Sequence, residues 1–539
     1  MKRLYILFVL AFAAVGTACA QWNTNANPVR VFDASGQGDY YACNPKAVRT
    51  PDKKTWISWR TMGSKSVNGI NRPAVRTYLQ LLDRDGVPQF SEPIMVNDHA
   101  TTTWWSEYGL QVASDGAAVV TVADGRAEEP TMPDYVEHPD GFSPAIYKID
   151  QQGNFLWGAD GIAYPEFTNA PYTNCYVVGD DTYFIFYNTT EDSSGQAEDM
   201  RLIGTFIQRV NADGTVAWDE PMAWSDEFIQ PQIVPSLGNT FLLFDKSPEG
   251  SVVHRLNRDF DEIWGDPVIY DEHKYEGYVM NHYCLASDGF GGAAVAFVRN
   301  MGQFAHNIRV QHINADGSLG FGLSGLDAAN TEDNDYDYCG IAVNTKSQEI
   351  MVDFESQLEK TYDVMLQKFS YDGDYLFDEQ GLSIANKDRA TNGFAFGKVG
   401  CGAVGDDQWI VIYRDVQSYY NTSFIIRRYD AEGNRLWTRT IGREIDPTNI
   451  SFFVEEEATY LIYRENRESK EPGIKIFRIA NDGSYDVTYT DIDDAFHNMG
   501  ILSDGPVSYY DTSGRLLNQP QKGLNIIRKA DGTVKKILK

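Results

Sequence analysis

Trp104, Trp105, Glu107 and Tyr108 crowd into one short stretch of a 539-residue chain. The same mixture of rings and polar groups returns at Tyr172, at Tyr278 and His282, and at Tyr336 and Tyr338 interleaved with Asp333, Asp335 and Asp337. An aromatic ring stacks on the C–H face of a sugar while a neighbouring carboxylate accepts from its hydroxyls; the same pair suits a cationic peptide. Trp104, Trp105, Glu107, Tyr108, Tyr172, Tyr278, His282, Tyr336 and Tyr338 are the candidate ligand-binding set. The competing expectation is packing, in which the rings plug a channel and fill the seams between repeats.

Catalysis has a weaker footing. The chain lacks Gly-x-Ser-x-Gly, His-Glu-x-x-His and a phosphate-binding loop. A carboxylate pair for glycoside cleavage cannot be singled out among 76 acidic residues. Cys43, Cys175, Cys284, Cys339 and Cys401 recur at similar places in the repeat described below, as small buried side chains would. Only Cys284, two residues after His282, has a nearby group able to activate it. No cofactor is expected, apart from a surface Ca²⁺ that the acidic run from Asp327 to Asp337 could hold. The expectation is a binding protein, with a carbohydrate-active hydrolase or lyase as the alternative.

What positions these residues is a repeat. An acidic or amide residue followed by glycine recurs at Asp85-Gly86, Gln152-Gly153, Asp213-Gly214, Asp316-Gly317, Asp372-Gly373, Glu432-Gly433 and Asp482-Gly483, with Asp259-Phe260 in the fourth place. Such pairs between alternating hydrophobics mark hairpin turns, because glycine takes the positive-φ position. Four residues after the glycine position stand Phe90, Trp157, Trp218, Trp264, Phe321, Phe377 and Trp437, and only the eighth unit breaks the series, with Val487. Four residues before it stand Leu82, Ile149, Val210, Leu256, Ile313, Phe369, Tyr429 and Ile479. One step earlier, six of eight are basic: Lys148, Arg209, Arg255, Lys368, Arg428 and Arg478, beside Leu81 and His312. Neighbours on a strand face opposite ways, so the repeat specifies a core face and a basic face. The basic stems are expected to pack along the sheet and their charges to meet carboxylates of the same or next unit.

The turns fall about 57 residues apart and no unit shows a capped helical period. Four short strands per unit is the signature of a propeller blade. The expected fold is all-β: a single β-propeller of eight four-stranded blades (seven is the alternative, because the eighth unit is degenerate) plus a small C-terminal β tail. Pro28 to Asp33 resembles the outer-strand segment Pro267 to Asp271, so it is expected to complete the last blade and close the ring. The acid-Gly turns would line one face. Irregular loops and blade-to-blade connections would line the other, where the candidate set lies.

The segments from Gln208 to Trp218 and from Gln311 to Phe321 resemble the blade pattern Gln-x-apolar-x-x-x-Gly-x-x-x-Trp of repetitive β-propellers from secreted Bacteroidetes-type proteins. The resemblance spans about residues 27 to 492. It implies fold and is almost silent on activity, since propellers host many.

The ends point to export. A basic start, Met1-Lys2-Arg3, precedes an apolar run from Leu4 to Val15 and a small-x-small site at Ala18-Cys19-Ala20, the pattern of a signal peptide cleaved to leave Gln21. Lipidation at Cys19 is the alternative. No later stretch reaches the ~18 apolar residues of a spanning helix. Lys and Arg number 46 against 76 Asp and Glu, a net charge of −30, which excludes nucleic-acid or anionic-membrane binding through a general basic surface. Residues 511 to 539 reverse that sign, with seven Lys or Arg against Asp511 and Asp531. This segment resembles the short C-terminal sorting tail of Bacteroidetes secreted proteins, which implies the type IX secretion machinery as a partner. The expected organisation is a signal peptide at 1–20, a propeller at 21–495 and a sorting-like tail at 496–539. The expected location is secreted or outer-surface, with the periplasm as the alternative, and the expected partner is a glycan or a protein. Deleting residues 505 to 539 should leave the propeller folded and trap it in the periplasm. Normal appearance of the truncated chain at the surface or in the medium, by fractionation, would show that the tail carries no signal.

Overall fold

The computed structural model describes Trp22, residues 28–34 and most of 42–484. Within that span it leaves out connecting stretches at 68–69, 98, 100–106, 127–142, 189–201, 227–228, 248, 273–282, 303–304, 324, 330–334, 358–360, 389–395, 397–399, 419–420, 442–444 and 466–472. Beyond it, 508–510, 516–517, 524–528 and 534–538 are described. The chain divides into two compact units, one of them Pro28–Gly483. That unit holds eight four-stranded antiparallel sheets, and its described residues contain no α-helix. In the other unit, Ser508–Tyr510, Leu516–Leu517, Leu524–Arg528 and Val534–Leu538 form a small antiparallel sheet.

Each of the eight sheets is a blade. In the third, Tyr172–Val178, Asp181–Asn188, Gly204–Val210 and Met222–Ser225 lie side by side in chain order. The innermost strands are Cys43–Arg49, Leu110–Val112, Tyr172–Val178, Gln232–Pro235, Tyr283–Ser287, Asp335–Asn344, Gly400–Val404 and Ile445–Val454. Each touches the next and the last touches the first, so the ring is closed. The eighth blade takes Ile445–Val454, Ala458–Glu465 and Gly473–Ala480 from the end of the repeat and its outer strand, Val29–Asp33, from the start of the chain. Val29 pairs with Ile476 and Asp33 with Gly473, so the predicted closure is present and fixes the count at eight.

The core lies between blades, because successive residues of a strand face opposite neighbours. Val120 and Val122 of the second blade pack with Trp56, Leu79 and Leu81 of the first, while Val119 packs with Phe184 and Phe186 of the third. The apolar position before each turn follows the first direction: Ile149 packs toward blade 1 and Leu256 toward blade 3.

The basic position follows the second direction, and it is a seam rather than a solvent face. Lys148 and Lys368 are buried. Carboxylates meet Lys148 (Asp115, 2.8 Å), Arg209 (Asp259, 2.7 Å) and Lys368 (Glu349, 3.1 Å). The more regular partner is one the sequence reading missed: the carbonyl just before the acid of the next blade's turn. Arg255 donates to Ala315 O at 2.6 Å and Lys368 to Ala431 O at 2.7 Å. Arg209 donates to Arg258 O and Arg428 to Asn481 O. His312 takes the same place, with Nδ1 3.1 Å from Tyr371 O.

The repeated aromatic reaches the same turn. The indole N–H of Trp264 donates to Ala315 O at 3.2 Å, and that of Trp437 to Asn481 O at 3.0 Å. Each ring lies over the glycine of that turn. Trp264 sits where a Cβ on Gly317 would come within 3.1 Å, and Trp437 does the same to Gly483 at 3.0 Å. The glycines of these turns, Gly86 to Gly483, have φ between 82° and 90°, a region that β-carbons disfavour. The turn glycine is thus required twice, by its own backbone and by the ring from the preceding blade. Phe260 takes the position in the fourth blade at φ 66° and offsets the strain by packing its ring on Trp218, Phe241 and Tyr183. A buried glutamine holds the aromatic in place: Gln80 Nε2 donates to Phe90 O at 2.8 Å, Gln208 to Trp218 O at 2.9 Å.

Gly317→Val combines a forbidden φ with a clash against the Trp264 ring. It should cost on the order of 2–4 kcal/mol in chemical denaturation. A loss below about 0.5 kcal/mol would show that the seam between blades 4 and 5 does not depend on this contact.

Candidate functional site

The eight inner strands surround the ring axis unevenly. Toward blades 6 to 8 they crowd together. Gly400 leaves no room for a Cβ against the Phe452 ring, nor Gly402 against Val454. Toward blades 8, 1 and 2 they leave a cavity of about 600 Å³. Its walls are the start of the first inner strand (Asn44 to Ala47), Arg60 beside it, the entry to the second blade (Glu107, Tyr108) and Ile450 to Phe452 of the eighth. Arg60 is in register with Cys43, the first residue of its inner strand, so the cavity lies at the end of the channel where blade-to-blade connections enter.

Two of the predicted residues line this cavity. Glu107 is exposed, and its backbone is pinned to the third blade by Glu107 N–H to Pro171 O (2.7 Å) and Thr173 Oγ1–H to Glu107 O (3.0 Å). Tyr108 is 2% exposed and offers no open platform for a sugar. Its hydroxyl donates to Asn44 O at 2.6 Å and lies 3.0 Å from Ser58 Oγ. Its ring carries cations: Lys46 Nζ stands 4.8 Å and the Arg60 guanidinium 5.3 Å from its centroid. Tyr172 is buried, with Asn174 Nδ2 3.4 Å from its hydroxyl. Tyr336 and Tyr338 lie on the inner strand of blade 6 by their backbones. Trp104, Trp105, Tyr278 and His282 lie outside the described residues.

Sequence reasoning missed Lys46, Arg60 and Phe452. A lysine and an arginine near the axis of a strongly acidic chain were the available signal, but the search followed aromatics and acids. Burial lowers the pKa of both cations below their ordinary values, with nearby Glu107 pulling the other way. Phe452 is half-buried and lines the cavity, and its ring packs against Gly400.

The inner strands carry cysteines that sit in the seams between blades. Among the described residues no disulfide joins the five cysteines. Four of them lean on a carbonyl of an adjacent blade: Cys175 on Val119 O (3.8 Å), Cys284 on Cys339 O (2.9 Å), Cys339 on Ala296 O (3.8 Å) and Cys401 on Met351 O (3.6 Å). Burial raises the Cys175 thiol to about 12. Contact with Cys284 and burial raise Cys339, and burial beside Asp353 raises Cys401. Raised in this way, Cys175, Cys339 and Cys401 are poor nucleophiles. On the acidic run, Asp327 is engaged by Arg309 at 2.6 Å.

No family model matches the chain and no curated protein does either. Solved structures do. A Dyadobacter fermentans protein of unknown function aligns at 10% identity over 84% of this chain and 98% of its own, with a TM-score of 0.36. The WD40 domain of SCAP from fission yeast aligns at 9% over 82% and 93%, with a TM-score of 0.41. A Bacteroides vulgatus protein of the DUF4221 family aligns at 8% over 58% and 93%, with a TM-score of 0.28. Likeness at this level concerns shape and carries no functional argument.

Asp353 is wholly buried next to Cys401, and the Cys401 thiol is a weak hydrogen-bonding neighbour for its carboxyl. Burial pushes its pKa from 3.8 up to about 7. Across that window the folded chain keeps a proton that the unfolded chain has released, so its contribution to stability falls as pH rises. Asp353→Asn should therefore melt near the wild type at pH 4 and above it at pH 8, by up to a few kcal/mol. A melting-temperature difference that does not change with pH would mean the carboxyl does not titrate in this range.

Proposed function

We propose that this propeller is a binding protein that takes a glycan into the cavity between blades 8, 1 and 2. The observation that carries the reading is the lining. Rigid strands hold a half-buried aromatic ring (Phe452), an exposed carboxylate (Glu107) and two cations (Lys46, Arg60) around one concave space. Such a space, mostly pre-formed and with few convergent polar groups, is where small ligands bind. The connecting segments expected at this end differ in sequence and length from blade to blade, which suits recognition. Secretion or surface display, through the signal-peptide-like start and the basic tail, belongs to the same proposal.

The alternative is a hydrolase or lyase in the same place. Cleavage of a glycoside would draw on two carboxylates about 5–10 Å apart. Among the described residues that line the cavity, Glu107 is the one carboxylate, which favours binding.

A glycan-array screen with wild type and Phe452→Ala tests the reading. Retention of a defined glycan is expected, weakened about tenfold or more by the substitution. Release of a cleaved product would support the enzyme instead, and capture of protein ligands with no glycan retained would make the partner a protein.

A further inference from the structure

One seam of the ring brings two thiols together. Cys284 lies on the inner strand of blade 5 and Cys339 on the inner strand of blade 6, and both are half-buried. The Cys284 thiol donates to the carbonyl of Cys339 at 2.9 Å. The Cys339 thiol leans the other way, on Ala296 O at 3.8 Å, and Ala296 is the residue paired with Cys284 in the first ladder of blade 5. Each sulfur thus points at the main chain beside the other. The seams at Cys175 and Cys401 lack this reciprocity. Cys175 leans on Val119 O, and Val119 pairs with Gln111. Cys401 leans on Met351 O, and Met351 pairs with Ala342.

We propose that Cys284 and Cys339 are a modification site, which a disulfide oxidant converts into a covalent staple between blades 5 and 6. The inference is independent of the glycan reading. The carbonyl and the side chain of Cys339 hang from the same Cα, and the Cys284 sulfur already touches the carbonyl oxygen. Bringing the sulfurs to the roughly 2 Å of a disulfide is then a matter of turning χ1 at the two residues. The chemistry is thiol–disulfide exchange with an oxidant such as oxidised glutathione. The Cys339 thiol is a poor nucleophile, so the first attack falls to Cys284. It forms a mixed disulfide and releases one glutathione. Cys339, held beside it, then attacks Cys284 Sγ and releases the second. The protein gives up two electrons, and the two thiol protons pass through solvent to the two released glutathiones. The new bond closes a loop across 55 positions of the chain, and so takes conformational freedom from the unfolded state. Export, as proposed above, would carry the pair into a compartment where such bonds persist.

The test is to incubate the reduced, folded full-length protein with oxidised glutathione, block the remaining thiols with an alkylating agent, and map the peptides by mass spectrometry without reduction. A cross-linked pair of peptides carrying Cys284 and Cys339 is expected, lighter by two hydrogens than the separate thiol peptides. The oxidised protein should melt about 2 °C or more above the reduced one, and lose that gain on reduction. Cys339→Ser should abolish the cross-link and leave glutathione on Cys284, whereas Cys401→Ser should leave the cross-link in place. If Cys339→Ser does not fold, the wild-type peptide map decides. Full alkylation of both cysteines after exposure to the oxidant overturns the proposal. So does a cross-link that joins either of them to Cys43, Cys175 or Cys401. A Cys284–Cys339 bond that lowers the melting temperature, or leaves it unchanged, overturns the staple.

Discussion

Everything in this propeller depends on one contact made again and again: the aromatic and the basic side chain of one blade meeting the acid-Gly turn of the next. The turn offers a carbonyl with no strand partner and a glycine with no side chain. The indole of Trp264 or Trp437 fills the second while its N–H, joined by Arg255 or Arg428, satisfies the first. Each hydrogen bond contributes only about 1 kcal/mol. Their weight comes from position, because each blade contacts mainly its neighbours and a repeat is only as strong as its seams. Where glycine is replaced, at Phe260, an aromatic cluster takes over the task.

A ring fastened at its outer turns can tolerate irregularity at its axis. The closing strand Val29–Asp33 ties the start of the chain to the last blade, so the inner strands need not pack identically to keep the body together. They do not. On one side glycines bring backbone against Phe452 and Val454, and buried thiols face carbonyls. On the other, Tyr108 holds Lys46 and Arg60 away from the opposite wall and a cavity remains. The asymmetry is built from side-chain size at a handful of inner positions.

Buried charge is handled differently in the seams and at the axis. In the seams, cations meet carboxylates or carbonyls, as Lys368 meets Glu349 and Ala431 O. At the cavity, Lys46 and Arg60 are held with their ordinary pKa values displaced by burial. Groups displaced in this way, beside a cavity, are places where a ligand has something to gain.

By itself the sequence determined the fold, because the features that specify a blade are local and repeated. The turn, the aromatic four residues on, the alternating strand before it and the outer-strand likeness of Pro28 to Asp33 are each legible over about ten residues. It also marked Lys148, Arg209 and their equivalents as a set, though not their main partner, since a backbone carbonyl has no letter in the sequence. The site was legible only in part. Glu107 and Tyr108 were singled out, but Tyr108 as a platform, when burial makes it a support for cations. Lys46, Arg60 and Phe452 come from the first and eighth blades, some 390 or more positions apart in the chain, and only closure of the ring brings them to one cavity. Local pattern decides strands and turns, whereas which side chains share a space at the axis depends on where the chain's two ends meet, and that is settled by tertiary structure alone.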